Sequence, residues 1–176
     1  GVLHLIIAYI VLRLAFGSGG NADQSGALAT LAAQPGGAVA LWITAAGTLA
    51  MALAPFLAPG EPIMANYIPV LESPLFLVGL VVFGVGTAVL VLRSLWAAPR
   101  LGLQYDGRGA LDFGLSSAAV ATAVALLCFA WSWAVLPTTL HGKAYYEILF
   151  WGGGHALQFT WTLMMLVAWL WLASAC

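Results

Sequence analysis

Four stretches of this chain run for at least nineteen residues without Asp, Glu, Lys or Arg: Gly36 to Gly60, Ser73 to Leu92, Phe113 to Gly142 and Ile148 to Cys176. A bilayer core about 30 Å thick takes about 20 residues of helix. In hydrocarbon every backbone N–H and C=O must be satisfied within the segment, so each stretch predicts a spanning helix. Charged residues are 6% of the 176 and AVILMFWYC residues 63%, against about 25% and 45 to 50% in a soluble domain. The opening "GVLHLIIAYIVLRLAF" is shorter and reads as a helix lacking its first turn or two, giving about five spans. The expected fold is therefore all-α, a polytopic transmembrane helical bundle.

The connections divide the chain. The first span, about Val2 to Phe16, ends in "GSGGNADQSG", where Gly and Asn break the helix and Ser25 caps a short amphipathic helix over Gly26 to Gln34. Span two follows "QPGG" at about Ala38 to Leu57. The linker "APGEPIMANYIPVLESP" holds four of the eight prolines, so it is no continuous helix and must lie at an interface or bury against protein. Span three is expected over Pro74 to Trp96, span four over Phe113 to Leu136 and span five over Ala144 to Ala173. Residues 1–57 form an Ala/Gly-rich hairpin around a polar loop, and 64–176 a bulkier, aromatic-rich three-helix block.

Arg93, Arg100 and Arg108 cluster around the connection between spans three and four, which the positive-inside bias places in the cytoplasm. Arg13 then falls inside and only Lys143 outside, with the N-terminus outside and the C-terminus inside. No basic n-region or cleavage site marks the start as a signal peptide, and the chain reads as a fragment or excised region. Cys128 and Cys176 show no pairing pattern. A net charge of −1 excludes a nucleic-acid footprint, so the expected surroundings are a lipid bilayer.

On this topology all three histidines, His4, His141 and His155, fall toward the outer side. Their convergence within about 5 Å would make a local metal site. His155 stands apart because an ionisable group at membrane depth must face protein, water or a ligand. It is either hydrogen-bonded to a neighbouring element or a ligand. Gly152, Gly153 and Gly154 precede it, and glycine inside a helix costs about 1 kcal/mol relative to alanine. A close approach must offset that cost, made either by another helix or by a planar cofactor against the bare backbone. Asp112 reads as a helix cap or first-turn carboxylate. Gly79 and Gly86 mark one packing face of span three. Thr160 and Thr162 are placed to bond back to their own helix.

"YYEILFWGGGHALQF", with "NYIPVLESPLF" upstream and one span between, resembles helices four to six of the catalytic subunit of haem-copper oxidases, over about residues 64–173. In that family the sixth helix carries a copper-ligating histidine with an aromatic residue one turn before it, positions that here read His155 and Trp151. The resemblance implies electron transfer to oxygen in a respiratory chain, with copper and heme as cofactors. It casts Trp151, Gly152, Gly153, Gly154 and Phe159 as residues packing against the cofactor. Many members continue with proline and glutamate and, four residues after the histidine, a tyrosine; this chain has Ala156, Leu157 and Phe159. The family uses six histidines, of which one position is present. The segment is therefore expected to be incomplete and not catalytic alone, completed by respiratory-chain subunits or by self-oligomerisation in a bacterial plasma membrane.

Residues 1–57, through "ADQSGALATLAAQPGG", resemble one unit of a bacterial membrane family of tandem two-helix repeats whose function is unknown. The alternative to the oxidase reading is a non-catalytic helical membrane scaffold or small subunit. A small transporter is a third class, and only span five carries a central ionisable residue to mark a pathway.

Overall fold

The computed structural model of the protein describes residues 36–97 and 107–174. In chain order they form α1 (Gly37–Leu57), β1 (Glu61–Ile63), β2 (Val70–Glu72), α2 (Pro74–Ala97), α3 (Gly107–Val135) and α4 (Gly142–Ser174). The four helices coincide with expected spans two to five. The expected first span, the helix over Gly26 to Gln34, and His4, Arg13 and Arg100 lie outside the described residues.

Among the described residues, three helical segments are both long enough and apolar enough to cross a bilayer: Gly37–Leu57, Pro74–Trp96 and Phe113–Val135. They mark a helical integral membrane protein. The last helix has 33 residues and no charge after Glu147. Its centre holds Gly152, Gly153, Gly154, His155, Gln158, Thr160 and Thr162, which dilute its apolar residues.

The chain folds as two compact units, Gly1–Met64 with Pro69–Leu90, and Ala65–Ile68 with Val91–Cys176. In the first, α1 starts after Gly36, whose φ of 77° suits glycine. Its buried face is Gly37, Ala40, Leu41, Ala45, Gly47, Thr48, Met51 and Ala54, the three-to-four-residue recurrence of one helix stripe. Small residues there let backbones approach. A Cβ on Gly47 would run into the Phe83 backbone, and one on Gly79 would stand 2.9 Å from the Met51 nitrogen. A Cβ on Gly86 would meet Thr44. Gly79 and Gly86 thus lie on one packing face of α2, seven residues apart as their spacing suggests. Thr44, Thr48 and Thr87 hydrogen-bond to carbonyls four residues back, which satisfies their hydroxyls within the helix.

The proline-rich linker, expected only as an interfacial segment, contains a short antiparallel hairpin with Glu61 opposite Glu72, Pro62 opposite Leu71 and Ile63 opposite Val70. Each strand is three residues long, too short for a period-two pattern to register in the sequence. Ile63 and Val70 are buried.

In the second unit α3 and α4 pair antiparallel. α3 stops just before Pro137, where the Leu140 N–H donates to the Pro137 carbonyl at 3.2 Å, and Gly142 turns the chain at φ 58°. Along the seam, Gly114 lies against Val167, Thr122 against Thr160, and Phe129 against both Gly153 and Phe150. Gly153, Thr160 and Val167 recur every seven residues on α4, as a close-packed helix pair requires. α3 begins at Gly107, so Asp112 lies inside the helix and not at its first turn, correcting the capping role read from its position before Phe113.

Candidate functional site

His155 sits about two-fifths of the way along α4, where its side chain leaves the seam and faces outward. Its Nδ1 is 2.8 Å from the Trp151 carbonyl oxygen, one turn back. The Tyr67 hydroxyl lies 2.8 Å from Nδ1 and 3.0 Å from Nε2. A carbonyl only accepts, so the short contact to Trp151 requires a proton on Nδ1. In the neutral ring Nε2 then carries the lone pair, and the Tyr67 hydroxyl lies within reach of both ring nitrogens.

Rings enclose the imidazole on two sides. The Trp151 ring centroid is 4.5 Å away at 51°, and that of Tyr67 is 4.9 Å away at 55°. The aromatic residue one turn before the histidine is therefore in contact with it. Phe159, one turn on, points outward and is 68% exposed.

The three glycines have three different neighbours. A Cβ on Gly153 would collide with the Phe129 ring, and one on Gly154 with the Tyr67 ring. On Gly152 it would find only the Cys128 Cβ, at 3.9 Å. At two of the three positions the bare backbone is covered by an aromatic ring of this chain. Gly152 instead borders an open apolar groove of about 750 Å³ lined by Val124, Leu127, Cys128 and Trp131.

Tyr67 is the site residue that the sequence did not single out. It belongs to Ala65–Ile68, the loop between β1 and β2, which packs as part of the second unit. Its available signal was a phenol in a linker that has to bury against protein, inside the same "NYIPVLESPLF" that accompanies the histidine segment. His141 does not join His155. It precedes α4, and fourteen residues of helix separate the two by about 20 Å. Among the described residues no three His, Cys, Asp or Glu are placed to hold a metal ion. Thr160 likewise differs from expectation. The Thr122 hydroxyl donates to the Ala118 carbonyl at 2.8 Å, so at 3.2 Å the Thr160 O–H is the donor to Thr122 across the seam. Thr162 bonds back to Gln158 of its own helix.

Residues 1–58 match the family described as Domain of Unknown Function (DUF1206). The chain is also 30% identical over 130 residues to Uncharacterized protein RP382 of Rickettsia prowazekii (strain Madrid E). That alignment covers 70% of this chain and 24% of the rickettsial protein, so the chain spans about a quarter of that relative's length. No solved structure matches.

Proposed function

We propose that this chain is a membrane-embedded part of a haem-copper-oxidase-like electron-transfer protein, in which His155 supplies one ligand to a metal or haem completed by residues elsewhere. The five-span topology with an outer N-terminus, α4 included, belongs to the same proposal. The observation that carries it is the Nδ1 contact to the Trp151 carbonyl. Metal-ligating histidines characteristically donate one ring N–H to a carbonyl, which fixes the tautomer and leaves the other nitrogen for the metal. Here that nitrogen is Nε2, 3.0 Å from the Tyr67 hydroxyl, which a metal would have to displace.

The described residues fit a single ligand position. They do not fit a complete copper-haem centre, because only His141 and His155 are among them and the two lie far apart. No step of oxygen chemistry is therefore assigned to this chain's own groups. What they do is hold one imidazole in one tautomer between two aromatic rings.

The second reading is a non-catalytic scaffold, favoured by the Tyr67 hydroxyl, which already lies 3.0 Å from Nε2. The two readings differ in what removing each partner does. The protein, purified from membranes in mild detergent with its co-purifying subunits, is assayed by visible spectrum and metal content beside His155→Ala and Tyr67→Phe. The ligand reading expects a Soret band or stoichiometric copper that is lost in His155→Ala and kept in Tyr67→Phe. A colourless, metal-free protein leaves the scaffold reading standing.

A further inference from the structure

The outward faces of α3 and α4 differ in chemistry. Every exposed residue described on α3 is apolar: Phe113, Leu115, Val120, Val124, Leu127, Ala130, Trp131, Trp133, Ala134 and Val135. That is a face suited to lipid. On α4 the exposed stripe from Ile148 to Ala173 is about 38 Å long and carries His155, Gln158 and Thr162 in its middle. At 100° per residue these three fall within about 60° of one another, flanked by Trp151, Phe159 and Trp169.

Depth makes this contrast informative. The seam pairs Gly114 with Val167, Thr122 with Thr160 and Phe129 with Gly153. Continuing that pairing sets Gln158 level with Val124, the midpoint of the apolar segment Phe113–Val135. The Gln158 amide has no hydrogen-bond partner among the described residues. A primary amide at mid-bilayer is hydrogen-bonded by protein, since lipid tails offer nothing to it.

We propose that this face of α4 is the contact surface between two copies of the chain in the membrane. The inference rests on the reading that α4 crosses the bilayer beside α3. The face suits its own copy. A two-fold axis along the membrane normal brings each residue opposite itself, and an amide, being both donor and acceptor, pairs with an identical amide. From Ile148 to Ala173 there is no charge, so self-contact creates no like-charge clash.

The test is disulfide cross-linking in native membranes, with Cys128 and Cys176 changed to Ser. Thr162→Cys and Leu166→Cys report on the proposed face, and Val124→Cys on α3. The proposal expects dimer-sized products at 162 and 166 several-fold above those at 124, and a several-fold drop at 162 when Gln158→Leu is added. Equal cross-linking at all three sites overturns it, as does a product whose mass fits a different polypeptide. Labelling of Leu166→Cys by a membrane-impermeant maleimide tests the crossing of α4 separately. Labelling overturns the crossing and the dimer together, whereas protection without cross-linking overturns only the dimer.

Discussion

The Tyr67 hydroxyl lies 2.8 Å from Nδ1 and 3.0 Å from Nε2 of His155, joining a linker loop to the last helix over 88 residues of sequence. The same ring lies on the bare backbone of Gly154. The phenol therefore has two separable roles, covering a glycine and holding an imidazole.

Tyr67→Phe keeps the ring and removes the hydroxyl. The expected loss of stability is about 0.5–1.5 kcal/mol, the usual net worth of one hydrogen bond. Denaturant unfolding in detergent checks the magnitude. Nitrogen-15 NMR of His155 checks the tautomer, which should remain protonated on Nδ1 because Trp151 still accepts from it.

The glycine triplet predicts a graded response. Gly154→Ala and Gly153→Ala push a methyl into the Tyr67 and Phe129 rings, and each should destabilise by about 1–3 kcal/mol. Gly152→Ala meets nothing closer than 3.9 Å and should be neutral or stabilising by up to about 1 kcal/mol through helix propensity. Thermal unfolding of the three variants side by side gives the order. Equal losses at all three positions would mean that something other than these rings covers the turn.

The first unit offers a matched pair on neighbouring helices. Gly47→Ala places its methyl against the Phe83 backbone, which cannot swing aside as a side chain can, and should cost about 1–3 kcal/mol. Gly84→Ala has open space within 4 Å and should gain about 0.5–1 kcal/mol. Unfolding midpoints of the two variants, compared with the parent, decide the matter.

Thr122 and Thr160 form a polar bridge in an otherwise apolar seam. A double-mutant cycle with Thr122→Val and Thr160→Val should give a coupling of about 0.6 kcal/mol, the average for such bonds between membrane helices. Zero coupling would mean that each hydroxyl is already content with its own helix.

How far these features are readable in the chain depends on the range of the interaction that sets them. The helices emerge from missing charge and from prolines, which are local signals, and the described ones start and stop within a few residues of where those signals fall, α3 starting earliest. Gly79 and Gly86 reveal their shared face because spacing along one helix is enough to fix it. Tyr67 does not reveal itself, because no periodicity links residue 67 to residue 155; their meeting depends on the fold of the intervening chain. The hairpin is hidden for a different reason. Six residues, one of them Pro62, cannot display a strand's alternation.

During synthesis Tyr67 leaves the ribosome 88 residues ahead of His155. At about 5–20 residues per second that lead is roughly 4–18 s. Throughout this interval the tip at Ala65–Ile68 has been made while the helix that receives it has not. Closure of the second unit around that tip thus waits for α4, and an interruption of translation between α3 and α4 leaves a chain with its early helices in place and its tyrosine undocked.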